Sequence, residues 1–423
     1  MFPFSRSSAE SSHPCETGKS LSEVFLDSSS RTRNALPEQY RTQFDELRSG
    51  IFAFCHEFAI PVDTLRSKEE FGKQLASKNI PQERMAQAVS LFEQLEHLIV
   101  QGEPFREKQS EAMEYADRLY HLSEQYADQF HLLKEVGILN EYNAIVGIDG
   151  HEYPIPTLEQ IAQRLYERRE VLSIKQDQGF TKLLLVPFGM GLDELIESLG
   201  RFLRHYQQNH QDFGLDSGQP FRHAWSNHFQ GIDIGNSPKL IYHPMFFYQY
   251  GHGGETKARI LKRQEDTTDV FAGWTVHLFQ PSDPLDPHSL GFVPIPQIGQ
   301  EKTYGVEFSR PDIKTSKSPK DYLSLLQKAQ DNPTSPYRGE SGMTPEDWIL
   351  AFMTHFQETG EVLDRNCHLS DCKAYLIGAF FPSQEDFGLV PYVCWSDTYA
   401  QVTLDGNEPR NRGIIGVRTS VLL

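Results

Sequence analysis

PYVCWSDTYAQVTLDGNEPRNRGIIGVRTSVLL, running from Pro391 to Leu423, is the most informative stretch of the 423-residue chain. Two kinds of position interleave in it. Trp395, Ala400, Leu404, Pro409, Arg412, Gly416, Val417 and Arg418 read as framework. Between them stand Ser, Asp, Thr, Tyr, Gln, Asn, Glu and Arg, with little apolar periodicity. Short strands are expected at 392–395, 401–404 and 416–423. The apolar Val417, Val421, Leu422 and Leu423 predict that the last of these is stitched into a sheet.

Upstream, Thr344-Pro345-Glu346-Asp347 carries the signals of a helix start: a Thr N-cap, Pro at the first helical position, and two acids at the positive end of the dipole. Trp348, Ile349, Phe352, Met353 and Phe356 make its apolar face, and Gly360 is placed to stop it. A strand is expected at 375–381. Further back, 182–188 (KLLLVPF) reads as a buried strand and 193–206 as a helix. Gly189-Met190-Gly191 between them is half a dinucleotide fingerprint. The third Gly position holds Glu194, whose charge opposes a pyrophosphate, so a tight turn capped by Asp193 is expected. Residues 157–172 read as one helix, and 239–242 and 274–279 as short strands. Five prolines make 280–299 mostly loop.

The first 36 residues, rich in Ser, Arg and Glu, read as a disordered tail. Tyr40, Phe44, Leu47, Ile51, Phe54 and Phe58 then draw one apolar stripe down a helix ended by Pro61. Weaker helical patterns follow, with Leu65, Phe71 and Leu75, and then Met85, Val89, Phe92, Leu95 and Ile99. A fourth helix spans 104–135 and stops at Gly137. Short connections favour an antiparallel bundle over 37–150. This gives four regions: a tail at 1–36, a helical region at 37–150, a mixed region at 151–340, and a C-terminal core at 341–423.

Composition excludes several classes. Lys plus Arg is 40 and Asp plus Glu is 58, so the net charge is −18, which opposes nucleic acid and anionic membranes as partners. No run of 18 apolar residues predicts a membrane span, and the opening stretch lacks the apolar core of a signal peptide, so a cytoplasmic location is the default expectation. Five cysteines make no disulfide framework. His56-Glu57 and His151-Glu152 lack the second His of a zinc-protease helix, since Ile60 and Ile155 stand there. His252-Gly253-Gly254 has no G-x-S-x-G partner, which argues against a serine hydrolase. Cys367-His368-x3-Cys372, with Cys394 further on, is the best metal pattern, yet its spacing is poor for zinc and ordinary thiols are expected. Neither metal nor other cofactor is expected.

The C-terminal stretch resembles the end of C-type lectin-like domains of the formylglycine-generating-enzyme type. It is especially similar to the variable proteins diversified by diversity-generating retroelements. Pro409-x-x-Arg412 followed by Gly416-Val417-Arg418 carries the resemblance, over about a fifth of the chain. The three-residue gap between Arg412 and Gly416 is shorter than usual in that family. The helix, strand and Gly-Val-Arg order is also similar to uncharacterised paralogous proteins of candidate-phylum bacteria. The resemblance implies an α+β protein in which a helical N-terminal region precedes a C-type lectin-like mixed domain, the first strand (182–188) pairing with the last. It implies binding of a protein or glycan ligand without catalysis. The implied surface comprises Ser396, Asp397, Thr398, Tyr399, Gln401, Thr403, Asn407, Glu408, Arg410 and Asn411, all exposed, while Trp395 packs inside and Arg412 and Arg418 tie loops together. Formylglycine-generating enzymes hold copper with a cysteine pair near this region. Only Cys394 follows residue 372 here, so that activity is not expected. Two alternatives stand beside this reading: an assembly protein that self-associates through its helical region, and an enzyme whose site lies among His223, His228, His243 and His252.

Overall fold

The computed structural model describes residues 33, 36, 40–61, 75, 78, 80, 84–85, 88–89, 91–92, 94–95, 98, 105–223, 230–235, 239–267, 269–296, 313–367, 370–371, 373–382, 388–407 and 415–423. The chain divides into two compact units, Met1–Glu111 and Ala112–Leu423. In the first, helix α1 (Arg41–Glu57) buries Phe44, Leu47, Ile51 and Phe54, the stripe its spacing predicts. Leu36, Leu75, Phe92, Leu95 and Leu98 join that core, while Leu65, Phe71 and Ile99 lie outside the described residues, as does nearly all of the expected tail.

Helix α2 (Phe105–Tyr120) runs across the division at Glu111, and α3 (Leu122–Glu135) follows it in the second unit. The single helix expected over 104–135 is broken at His121, which takes the left-handed φ of 48°. The helical region also ends earlier than the expected boundary at 150. Ala112, Ala116 and Tyr120 join the core of the second unit, and α3 packs on a strand of it, so these helices belong to the mixed unit rather than to a bundle. Strands β1 (Ala144–Val146) and β2 (Glu152–Pro154) form a small hairpin. The helix expected over 157–172 is two, α4 (Leu158–Glu167), begun by a Thr157–Gln160 capping box, and α5 (Arg169–Asp177). Then come β3 (Lys182–Val186), buried at every position, and α6 (Leu192–Asn209). Asp193 does not cap α6; its carboxylate accepts from the Gly231 N–H at 2.8 Å.

The remaining elements are β4 (Phe221–His223), β5 (Ile241–Tyr242), α7 (Lys257–Asp266), β6 (Thr275–Phe279), α8 (Pro319–Gln330), β7 (Glu340–Gly342), α9 (Pro345–Thr359), β8 (Arg365–Cys367), β9 (Ser370–Asp371), β10 (Lys373–Tyr375), β11 (Ala379–Phe380), β12 (Val390–Ser396), β13 (Gln401–Asn407), β14 (Ile415–Val417) and β15 (Thr419–Leu422). Helix α9 follows its sequence signals closely. Thr344 and Asp347 form a capping box, Pro345 opens the first turn, and Gly360 closes it at φ 71°.

Two sheets organise the unit. One is antiparallel, in the order β3-β6-β15-β7. The other runs β14-β10-β12-β13-β4, with β8 pairing β12 beside Trp395 and Ser396 and β9 pairing β8. The class is mixed α+β. Three expectations change. First strand and last do not pair, because β6 lies between β3 and β15. The run 375–381 splits between the β10 strand of the second sheet and a separate two-stranded pairing of β11 with β5, since Gly378 N–H turns away to the Met343 carbonyl. The terminal run 416–423 splits at Arg418 into β14, parallel to β10, and β15, antiparallel to β6 and β7. The stitching of the terminal residues does occur. Because 182–186, 275–279, 340–342 and 419–422 share one sheet, the regions 151–340 and 341–423 form a single body.

Candidate recognition site

Strands β12 and β13 make one hairpin, in register from Val390 opposite Asn407 to Ser396 opposite Gln401. Alternation along a strand and pairing across it give the hairpin two faces. Val393, Trp395, Val402 and Leu404 enter the main core. Trp395 lies between Phe213, at 5.4 Å, and Phe352, at 6.2 Å between ring centres. Tyr392, Cys394, Ser396, Gln401, Thr403 and Asp405 take the other, polar face.

The expected surface residues therefore sort by position. Asp397, Thr398 and Tyr399 form the exposed tip, with Tyr399 55% accessible. Ser396 and Gln401 are corrections: they retain only 5% and 3% accessibility, because each lies on a central strand rather than in the turn. Thr403 is half-buried. Glu408, Arg410 and Asn411, the framework residues Pro409 and Arg412, and the side chain of Asn407 lie outside the described residues, as do the side chains of Cys367, His368 and Cys372.

Segments distant in sequence hold the tip. The Ala400 carbonyl accepts from the Asp216 N–H at 2.8 Å, and the Pro220 carbonyl accepts from the Val402 N–H at 3.0 Å. Arg365 Nε reaches both Asp397 oxygens, at 3.0 and 2.8 Å. The Arg222 guanidinium stands 5.3 Å from the Tyr399 ring centre. Sequence reasoning missed Arg222 and Arg365. Each reaches the hairpin through parallel strand pairing, β4 to β13 and β8 to β12, and no local pattern reports such pairing.

Behind the hairpin is a buried anchor. Asp364, in the left-handed region at φ 52°, accepts from Arg418 Nη2 at 2.6 Å and from Trp348 Nε1 at 2.8 Å. Its carbonyl accepts from the Trp395 N–H at 3.1 Å. Arg418 also donates to the Val293 carbonyl. The expected loop-tying role of Arg418 is thus met by one carboxylate and one carbonyl.

A second polar cluster gathers at the start of α9. Lys257, fully buried, bonds Asp233 at 2.5 Å and Glu346 at 2.8 Å, and donates to the Met190 carbonyl. Burial alone would lower the Lys257 ammonium; Glu346 and Asp233 outweigh it and hold the pKa above the usual value. Burial, reinforced by Glu346, pushes the Tyr242 hydroxyl up. Next to it, His277 Nδ1 lies 3.0 Å from Ser420 Oγ, and His277 Nε2 lies 3.2 Å from Asp347 Oδ1. Burial would raise the Asp347 carboxyl, but His277 and the Thr344 N–H hold it below its usual value. Ser, His and Asp in this order suggest acyl transfer. Yet all three are sealed in the core, and the serine faces Nδ1 where a catalytic His takes the proton through Nε2. The cluster joins α9 to its sheet. Among the described residues no three His, Cys, Asp or Glu side chains are placed to hold a metal, His223, His243 and His252 included.

No described helix is long and apolar enough to cross a membrane. Comparison with family models, with curated proteins and with solved structures returns no match.

Proposed function

We propose that this chain is a recognition protein that presents the β12–β13 hairpin as a diversified ligand-binding surface on a C-type lectin-like scaffold, without catalysis. One observation carries the reading: the hairpin sets buried strand residues (Val393, Trp395, Val402, Leu404) directly beside an exposed tip of Asp397, Thr398 and Tyr399. Substitutions at such tips change stability by about 0.5 kcal/mol or less, so the tip is free to vary while the anchors are not. Tyr, Asn and Ser are residue types that binding loops use.

The test is to sequence sibling loci. The expected result is a near-copy of the encoding DNA beside a reverse transcriptase, with differences at adenines of the copy. Those differences should fall at positions such as Asp397, Tyr399, Asn407 and Asn411 and spare Trp395, Gly416 and Arg418. Variation scattered evenly along the chain removes the reading.

A further inference from the structure

We propose that Arg222 is a fixed, carboxylate-reading anchor beside the hairpin face, and that its partner is a neutral or basic polypeptide presenting one Asp or Glu there; this rests on the recognition reading above. Arg222 sits on β4 with its Cα paired to Thr403. Phe221 turns into the core, so alternation sends Arg222 to the polar face. The guanidinium stands over the Tyr399 ring and makes no hydrogen bond or ion pair with any described residue. Contact with a ring face holds the planar fork in one orientation and leaves its N–H donors open, the geometry that takes a carboxylate through two parallel bonds.

The hairpin's own carboxylates are committed. Asp397 is held by Arg365, and Asp405 accepts from the Tyr392 hydroxyl at 2.8 Å and from the Gly406 N–H at 2.7 Å. Beside Arg222, Thr403 Oγ1 and Gln401 Oε1 are buried with no hydrogen-bond partner among the described residues, and Gln401 is only 3% accessible. A sealed acceptor without a donor costs stability, and a ligand N–H that reaches it removes that cost. A peptide supplies a side-chain carboxylate for Arg222, and its backbone N–H groups meet the two acceptors where their side chains turn outward. The chain's charge of −18 opposes a polyanionic partner, so a single carboxylate in a neutral or basic setting is favoured over an acidic polymer. Arg222 lies outside the hairpin. Variation at Asp397 and Thr398 therefore changes what surrounds the anchor and leaves Arg222 itself in place, whereas a change at Tyr399 removes the ring that orients its fork.

The experiment is selection of a random peptide library displayed on phage against the full chain, with a parallel selection on Arg222→Gln. Enriched peptides are expected to share one Asp or Glu. Changing it to Asn or Gln, or moving the peptide to Arg222→Gln protein of unchanged melting temperature, should weaken binding at least tenfold. Arg222→Lys, which keeps the charge and loses the fork, should fall between. No enrichment, enriched peptides without a shared carboxylate, equal binding to Arg222→Gln, or binding confined to acidic glycans each overturns the proposal. Those results leave the recognition reading intact if sibling variation concentrates on the hairpin. Scattered variation with carboxylate binding retained removes that reading alone.

Discussion

Gln129 on α3 accepts the backbone N–H of Leu185 at 2.7 Å, taking the place of a neighbouring strand at the outer edge of β3. Its Nε2 donates to the Leu183 carbonyl at 2.5 Å, and Gln125, one turn earlier, repeats the pattern on Leu183 N–H and the Thr181 carbonyl. Two glutamines at i and i+4 thus satisfy an otherwise open sheet edge. Gln129→Leu keeps the volume and leaves two buried peptide groups unpaired. The expected loss is about 2–4 kcal/mol in urea denaturation, and a loss under 0.5 kcal/mol counts against the role.

Asp364→Ala should be among the most damaging single changes. It strands the buried Arg418 charge and frees Trp348 Nε1, for an expected loss of about 3–5 kcal/mol. Adding Arg418→Met should recover part of that loss, since the unpaired charge is then gone. A double-mutant cycle measures the coupling, and simple additivity would contradict the pairing.

His355 makes stability depend on pH. Burial first, then the nearby Arg418 and Lys182 cations, lower its pKa from 6.5 to about 4, against the opposing pull of Asp364. Its Nδ1 accepts from the Phe292 N–H at 3.0 Å, a bond the neutral ring makes. The unfolded chain therefore binds a proton between about pH 6.5 and 4 that the folded chain refuses. The His355 contribution is complete above the unfolded value, declines as pH falls through that window, and is constant below it, with a total of up to about 3 kcal/mol. Urea melts from pH 7.5 to 4.5 should show this decline in the wild-type chain and a shallower one in His355→Gln.

The tip and its support should respond oppositely to truncation. Changing Asp397, Thr398 and Tyr399 together to Ala removes one exposed ion pair and one exposed ring, and the expected loss is about 1 kcal/mol or less. Trp395→Ala, two residues before Asp397 on the same hairpin, empties a core position and should cost about 3–5 kcal/mol. Thermal melts of both variants make the comparison.

Removal of Thr419–Leu423 tests the terminal strand. Its Val421 pairs Leu278 on one side and Glu340 on the other, so the deletion opens a gap in the middle of a sheet. Insoluble or molten protein is expected. A sharp melting transition at the wild-type temperature would show that the strand is dispensable.

Signals confined to one segment of sequence specify several elements. The Thr344-Pro345-Glu346-Asp347 start and Gly360 stop of α9, the buried run at 182–186 and the stripe on α1 all follow from capping, apolarity or spacing within one segment. The two strands of the hairpin were legible for the same reason, whereas the inward Trp395 was expected from the family resemblance. What escaped depended on distant partners. Ser396 and Gln401 have binding-loop chemistry but sit on central strands, so residue type misreported their exposure. Arg222 belongs to the site only through pairing of 221–223 with 402–404, and the break at Arg418 becomes intelligible only once Asp364 is seen beneath it. The polar cluster around Lys257 draws on segments near 190, 233, 257, 277, 346 and 420, and no window of sequence contains it.

The single residue between β14 and β15 also governs how the unit assembles in time. β14 closes against β10 in one sheet and β15 slots between β6 and β7 in the other, so Arg418 makes the completion of each sheet a condition for the other. The contacts it brings together are far apart along the chain, with Val421 meeting Leu278 and Thr419 meeting Gly342. Such non-local closure comes late and slowly, because much chain entropy is lost before any pairing rewards it. Unit Ala112–Leu423 should therefore refold in one slow concerted phase, with both sheets gaining protection from hydrogen exchange at the same rate.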